Sequence, residues 1–456
     1  MLLEGNEKQI KVRPYKSIPL ADGMPIVGSV KELSGDIRAF LTKQYLTHGP
    51  VFRVKVLRRS FTVLAGPDAN QFAAHDGREL FSAKETWQEH AESFGAQRSL
   101  LTMDGADHVR MRKIQKKGYS RGAIEVEIPR AVELVREQVR EWPVNKTMPA
   151  LYSLQSIIAD QIGMAATGVL PREYMDDLVY FFRVVLLTTL TKQRPRIFQL
   201  TPRFKRARKR VLELGQEVID RHATEKQEGE KTDLIDDILK LAREEPEFLP
   251  QSDVLISVLG PFIAGLDTAA SATSFMLYAL LMHPDLLALA TEEADRVFSQ
   301  GELTVERLKE FDIIRRVVLE TYRMYPISPA LQRTAKKTFV FNNCEIPEGE
   351  SIILATTVPH YLPDIYPEPE KFDIDRYTPE RKENSKPGTF VPFGLGAHTC
   401  LGAGFAEVQM ILTMATILHE AELVMDPLDY KLKIDPMPGP KPDDKFGFQV
   451  VRHKRI

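Results

Sequence analysis

The chain has 456 residues, enough for a large hydrophobic core in one large domain or in about three average domains. Its 61 basic and 63 acidic residues leave a net charge of −2, which argues against a protein dedicated to nucleic acid or an acidic polymer. Only two cysteines are present, which excludes a disulfide framework and favours a reducing, cytoplasmic setting.

The N-terminal part is predicted to be rich in β structure. Residues Met1 to Lys11 contain no apolar run long enough for a signal peptide or a membrane anchor. Pro14 to Pro25 is typical of an extended segment, and a short amphipathic helix is predicted from Asp36. From Val51 to Leu64 apolar residues alternate with basic ones on both sides of a short break, which predicts a β-hairpin.

The stretch from Phe81 to Met103 has no regular hydrophobic period, so we predict an irregular segment of a length usually associated with function. Its aromatic residues Trp87 and Phe94 are candidates for the wall of a pocket. Downstream, His108 and Arg112 are four residues apart and share a helical face. The surrounding basic residues are typical of a solvated face: Arg110, Lys113, Lys116 and Lys117.

Residues 131–241 are mostly helical by pattern, and the long apolar stretch that follows is more informative. Val254 to Met282 carries one charge, Asp267, and exceeds the ~20 helical residues needed to cross a bilayer. A spanning helix is one interpretation; we favour a helix buried on all sides, because several hydroxyl residues interrupt the stretch and no second such stretch is evident. Pro261 and Gly265 predict a local opening beside Asp267 and Thr268.

A buried carboxylate such as Asp267 is costly, so it has either a structural partner or a function.

Two charged motifs follow in the chain. In Glu320-Thr-Tyr-Arg323 the two charged residues share a helical face and can pair, although this spacing alone is common on surface helices. The second motif places Arg376 seven residues after Pro369.

The residues around Cys400 form the stretch with the clearest chemical signal. Three glycines lie between Phe393 and Gly402, which suits a tight turn whose amide N–H groups point at a sulfur. Apolar residues recur with a helical period after Gly404, so Cys400 precedes a helix whose positive N-terminal end favours a thiolate. The alternative is an ordinary buried cysteine in a glycine-rich loop.

The spacing of Phe393, Gly396, His398, Cys400 and Gly402 resembles the cysteine-ligand loop of the cytochrome P450 family. Three further stretches resemble motifs of that family in the same order. They are the acid and alcohol pair in Ala264-Gly-Leu-Asp267-Thr268, the E-x-x-R motif of Glu320 and Arg323, and the Pro369 to Arg376 segment, in which Ile374 replaces an expected proline.

The resemblance implies a mainly α fold with a smaller β-rich lobe, as one domain over residues 1–456. The β-rich part would cover about residues 14–80 and the helical haem-binding body about residues 81–456. It also implies haem b with Cys400 as the iron ligand, and a structural triad of Glu320, Arg323 and Arg376. Asp267 and Thr268 would deliver protons during oxygen activation. The other implied haem contacts are His108, Arg112, Arg333, Phe393, His398 and Gly402.

The implied reaction is insertion of one atom of dioxygen into a C–H bond, with two electrons from a separate ferredoxin or flavodoxin type donor and its reductase. No nucleic acid or membrane span is expected. Apolar residues near the motifs predict a medium to large apolar substrate of the lipid, terpenoid or steroid class. They are Phe262, Ile263, Ala264, Ile327, Ala330 and Leu331, together with Trp87 and Phe94.

Two alternatives stay open at this point. A haem-thiolate peroxygenase or isomerase would share Cys400, but it would not need an external electron donor or the Asp267 and Thr268 pair. A non-haem helical binding protein would require every motif to be a coincidence.

Overall fold

The structure is a computed structural model, and it describes residues 12–224 and 232–454. The interpretation of the first eleven residues as free of a targeting segment lies outside the described residues. Between residues 12 and 454, with the gap at 225–231, the architecture is mainly helical with smaller sheets, which confirms the predicted fold class.

The helices are named in chain order. Their bounds are α1 Val30–Leu33, α2 Ile37–His48, α3 Pro67–His75, α4 Gly77–Leu80, α5 Lys84–Ser93, α6 Gly105–Gln115, α7 Arg121–Glu125, α8 Ile128–Glu141, α9 Ala150–Ile162, α10 Met175–Thr189, α11 Pro202–Arg221, α12 Leu234–Glu244, α13 Gln251–Val258, α14 Gly260–Met282, α15 Pro284–Ser299, α16 Asp312–Met324 and α17 Ala403–Glu420.

The strands are short and fall in four small sheets. Their bounds are β1 Val51–Val56, β2 Arg59–Ala65, β3 Phe81–Ser82, β4 Thr147–Pro149, β5 Leu331–Ala335, β6 Phe339–Phe341, β7 Cys344–Ile346, β8 Ser351–Ala355, β9 Ala421–Asp426, β10 Ile434–Asp435, β11 Lys441–Pro442 and β12 Gly447–His453.

The largest sheet has the strand order β1-β2-β8-β5-β3. The predicted hairpin is present as β1 and β2, which pair antiparallel with Val51 opposite Leu64. Strand β8 then pairs parallel to β2, and β5 pairs antiparallel to β8. The sheet therefore combines β1 and β2 of the N-terminal part with two strands from residues 331–355. Pairing between strands far apart in sequence leaves no local signal.

The core is built by helices whose apolar faces follow the helical period. In α8, Ile128, Val132, Val135 and Val139 are buried, whereas the charged residues of the helix lie toward solvent. Helix α14 is apolar on nearly all sides and packs against α9, α16 and α17. It is therefore the central helix, as its composition predicted.

Two stretches, Gln251–Met282 and Gly396–Glu420, are long and apolar enough to cross a membrane by length and composition. The expectation of one such stretch was wrong, because α17 also passes this test. The most apolar windows are 61% and 67% buried inside the protein, which is the behaviour of core helices.

Two local predictions need correction. The segment from Phe81 to Met103 is not irregular throughout, because it contains α5; the polar sequence Lys84–Ser93 hides the helical period.

The interruption caused by Pro261 lies at Leu259, between α13 and α14, since proline has no N–H to continue the hydrogen bonding of α13. Helix α14 is continuous past Asp267 and Thr268, so the predicted opening beside them is absent.

Candidate active site around Cys400

The loop before α17 is tightly closed by its own backbone. The N–H of Cys400 donates to the carbonyl oxygen of Phe393 over 2.9 Å. Gly394 and Gly396 have φ angles of +70° and +67°, a region that other residues rarely adopt. A Cβ at Gly396 would also lie 3.0 Å from the carbonyl oxygen of Ala73, so both turn and packing require glycine there.

Cys400 is an exposed residue, although neighbouring protein groups desolvate its thiol. These two properties agree if the thiol faces an enclosed space rather than open solvent. Burial raises the pKa of the Cys400 thiol, and the Gly402 N–H and the Arg112 guanidinium only partly offset this effect. The Gly402 N–H at the start of α17 favours the thiolate, but for the protein groups alone desolvation of the charged form is the larger effect.

One face of α14 is accessible within the otherwise buried helix. Ala264 and Thr268, one turn apart, are exposed, and Ile263 and Asp267 beside them are partly exposed. Phe262 has no exposed surface, because it lies on the opposite side of the helix from Ala264. Its prediction as a pocket residue is therefore corrected: Phe262 belongs to the core.

Asp267 and Thr268 have separate hydrogen-bond partners. The Oδ1 atom of Asp267 accepts from Nε2 of Gln155 over 2.8 Å, and the hydroxyl of Thr268 donates to the carbonyl oxygen of Ala264 over 2.6 Å. Burial raises the pKa of Asp267, while Gln155 and, more weakly, Lys441 lower it. A raised pKa makes the carboxyl group a better proton acceptor and keeps it able to donate that proton onward.

The remaining predicted pocket residues fall into two groups. Ile327, Ala330 and Leu331 are partly exposed and lie just before or within β5. Phe94 is almost fully buried, with its ring edge-on to Phe181 of α10 at 5.2 Å, whereas Trp87 in α5 is partly exposed. The prediction of Phe94 as a pocket residue is therefore corrected: Phe94 contributes to the packing between α5 and α10.

The cationic residues predicted to contact haem surround one cavity next to the cysteine loop. Its lining includes His108, Arg333 and His398, together with Asp104. The rings of His108 and His398 lie 4.0 Å apart, and His398 Nε2 lies 3.2 Å from a carboxylate oxygen of Asp104. Arg112 donates to the carbonyl oxygen of Thr399, so α6 is fastened directly to the loop.

Arg333 is unusual among these residues because it is buried without a carboxylate partner in the described part of the chain. Its guanidinium donates to the neighbouring Gln332 carbonyl over 2.7 Å. Burial lowers the pKa of Arg333 to about 10, and Asp104 opposes this shift from a distance. A buried cation of this kind favours an anionic ligand.

Glu320, Arg323 and Arg376 form one fully buried network. Both carboxylate oxygens of Glu320 accept from Arg323 over 2.8 Å, and Arg376 donates to the same group over 3.3 Å. The hydroxyl of Tyr377 also donates to Glu320, over 2.8 Å. The segment that contains Arg376 is thereby held against α16, despite the replacement of the expected proline by Ile374.

We expect Glu320→Gln to destabilise the fold by about 3–5 kcal/mol, because it leaves the buried Arg323 guanidinium without its counter-charge and leaves Arg376 with Glu383 alone. Urea unfolding measures this change. The matched control is Glu310→Gln, which removes a partly exposed carboxylate paired with Arg307 and is expected to cost about 1 kcal/mol or less. Equal losses in the two variants would contradict a special role for the buried network.

Several site residues carry no signal in the sequence. Gln155 and Asp267 are 112 residues apart, and Asp104 and His398 are 294 apart. His360 links the network to the cysteine loop, since its backbone carbonyl accepts from Arg323 and its ring accepts from the N–H of Val391. Burial lowers the pKa of His360 to about 3, so its ring is neutral.

Comparisons with known proteins agree with this geometry. The family model for cytochrome P450 matches residues 18–447, so the chain belongs to the cytochrome P450 family. An abscisic acid 8'-hydroxylase of Solanum lycopersicum is 27% identical over 418 residues, which cover 90% of this chain and 86% of that protein. Cytochrome P450 120 of Synechocystis is 26% identical, covering 95% of this chain and 96% of the relative.

Solved structures show the same fold over the whole chain. The haem domain of cytochrome P450DA superposes with a TM-score of 0.82 at 22% identity, covering 98% of this chain and 99% of that chain. The retinoic acid-bound cyanobacterial CYP120A1 has a TM-score of 0.81 at 23% identity, covering 96% and 99%. The chain is thus a monooxygenase of a family that uses haem b, dioxygen, a separate redox partner and a small-molecule substrate.

The residues present fit haem b. Arg333 is a buried cation without a carboxylate partner among the described residues, which suits a haem propionate. Cys400, Ala264 and Thr268 keep accessible surface, which suits contact with a cofactor.

Proposed function

We propose that this cytochrome P450 hydroxylates a medium to large apolar molecule of the lipid, terpenoid or steroid class. The observation that carries the proposal is that apolar side chains on or just before the elements that carry Thr268 and Arg333 keep accessible surface, namely Ile263, Ile327, Ala330 and Leu331. Covering apolar surface is worth about 25 cal/mol per square ångström, so such walls favour large apolar ligands over small charged ones. The 27% identical relative named for abscisic acid, an isoprenoid compound, supports the terpenoid class.

In this proposal Cys400 ligates the iron and the cationic residues bind the propionates. Haem activates dioxygen when it is bound with a thiolate ligand. Arg333 and Arg112 would neutralise the propionates from β5 and α6. His108, whose pKa burial lowers to about 4, and His398, held by Asp104, would contribute hydrogen-bond donors. Phe393 packs edge-on to Tyr322 at 4.8 Å and limits the access of water to the sulfur. The N–H of Gly402 stabilises the sulfur when it is ionised.

Asp267 and Thr268 supply the proton step of the proposal. The hydroxyl of Thr268 lies on the accessible face of α14, and Asp267 precedes it with a carboxyl group whose pKa burial raises. Such a pair can transfer a proton from the interior of the protein to a reacting group at that face.

We further propose a cytoplasmic protein that takes its electrons from a ferredoxin or flavodoxin type donor. Helix α6 and the turn after it support this proposal. Arg112 of α6 contacts the cysteine loop, and Lys113 of α6 and Lys116 and Lys117 of the turn are exposed to solvent. A basic surface beside the iron ligand complements an acidic electron carrier.

A spectral screen of ligands against the ferric protein tests the substrate class. We expect terpenoids, steroids and long-chain lipids to shift the Soret band, because an apolar ligand displaces water from the distal side of the haem. Small hydrophilic acids serve as the control and are expected to leave the spectrum unchanged. A shift by the hydrophilic acids without one by the apolar compounds would contradict the proposed class.

Family membership contradicts the interpretation as a non-haem binding protein. The alternative of a peroxygenase or isomerase differs from the monooxygenase assignment in its need for electrons. It would turn over without reductant, and the accessible Thr268 hydroxyl beside a buried acid favours the monooxygenase over it.

A further inference from the structure

Gln155 contacts the acid of the proposed proton step from a neighbouring helix. Its Nε2 atom donates to Asp267 Oδ1 over 2.8 Å, and the Gln155 side chain is almost fully buried in α9. The two helices approach closely because residue 265 is glycine: a Cβ there would lie 2.7 Å from Cδ1 of Ile162. Close packing of α9 on α14 thus brings the amide within range of the carboxylate.

The contact holds one oxygen of Asp267 and leaves the other available. Among the described residues, Oδ2 of Asp267 has no hydrogen-bond partner, and the Thr268 hydroxyl is committed to the carbonyl of Ala264. An amide suits this place because it can serve both protonation states of the acid. Its NH₂ group donates to a carboxylate, and after a flip its carbonyl accepts from a protonated carboxyl group.

Three other charged residues, on α10, β10 and β11, contribute to the electrostatics around Asp267. Arg183 of α10 and Lys441 of β11 attract the carboxylate, and each lies 3.6 Å from Asp435 of β10, which partly neutralises them. Burial raises the pKa of Asp267, and the hydrogen bond from Gln155 is the largest effect in the opposite direction. The hydrogen bond from Gln155 therefore lowers the pKa of Asp267 more than either cation does.

We propose that Gln155 is a positioning residue that orients Asp267 and stabilises its ionised form through the 2.8 Å hydrogen bond from α9. The proposal rests on the proposed function of Asp267 in proton delivery. Without the amide, the carboxyl group is free to rotate away from Thr268 and holds its proton more tightly. Proton release from Asp267 then becomes slower than in the parent.

Infrared difference spectra of the resting ferric protein across a pH series test this proposal without turnover. Asp267→Asn identifies the carboxyl band of Asp267. Gln155→Met keeps the size of the side chain and removes its donor, so we expect the midpoint of that band to rise by about one pH unit, a tenfold change in proton affinity. The matched control is Gln161→Met on the same helix, whose buried amide contacts Ala131 and Thr413 instead.

An Asp267 midpoint that moves in Gln155→Met and stays in Gln161→Met supports the proposal. An unchanged midpoint in Gln155→Met overturns it, as does an equal rise in both variants, which would indicate a general effect of lost buried amides. A separate measurement tests the proposed function. Normal turnover of Asp267→Asn would exclude Asp267 from proton delivery. The infrared midpoint of Asp267 in the parent and in Gln155→Met would still report the contact between the two residues.

Discussion

Cys400→Ser is expected to lose the strongly red-shifted Soret band that the reduced parent protein shows with carbon monoxide, and to lose all monooxygenase activity. The shift requires a thiolate ligand, and a serine hydroxyl does not ionise to provide one. The position is accessible to a cofactor, since Cys400 is an exposed residue at the end of a loop closed by the Cys400 to Phe393 hydrogen bond. Absorption spectra of the reduced protein with and without carbon monoxide measure the effect.

The second cysteine provides the control. Cys344 is fully buried in β7, where its sulfur accepts from Arg13 over 3.1 Å, and no predicted haem contact lies on that strand. Cys344→Ser is expected to keep the red-shifted band, even if its stability falls. A band retained in Cys400→Ser, or lost only in Cys344→Ser, would remove Cys400 as the iron ligand.

Asp267→Asn is expected to slow oxygen-dependent turnover by ~10²- to 10⁴-fold, the range that general acid catalysis supplies. Thr268→Ala is expected to divert reductant from product to hydrogen peroxide, because the hydroxyl on the accessible face of α14 is lost. Both variants should bind carbon monoxide and ligands like the parent. The measurement is the ratio of product and peroxide formed to reductant consumed.

The matched control for Thr268 lies on the same helix. Thr273 also donates to the carbonyl four residues earlier, over 2.8 Å, but it is fully buried. Thr273→Ala should therefore couple reductant to product like the parent. Hydrogen peroxide supplied directly should partly rescue Asp267→Asn and Thr268→Ala, since oxygen then arrives already reduced. Normal coupling in Thr268→Ala would exclude the pair as the proton path.

The sequence predicted those parts of the site that depend on local spacing. Cys400 and its glycines lie within ten residues, and the Glu320 and Arg323 pair lies on one helical face, so neither required knowledge of the fold. The central helix was also predictable, because it is apolar around most of its circumference, although the accessible face of Ala264 and Thr268 was not expected.

The partners of these residues were not predictable, because tertiary packing brings them together. Gln155 reaches Asp267 only because α9 packs on α14 at Gly265, and Arg333 becomes buried only when β5 pairs with β8. The exposure of Phe262 was mispredicted for a related reason. Proximity to a motif in sequence does not fix which side of a helix a residue occupies.

The most direct test of the account is turnover of an apolar ligand, identified by the spectral screen, under ¹⁸O₂ with an electron donor. The account predicts that each product molecule contains one labelled oxygen atom and that product formation requires reductant. It also predicts no label in the product when only the water is labelled. A product formed without reductant, or one without label from ¹⁸O₂, would contradict the assignment of this chain as a monooxygenase.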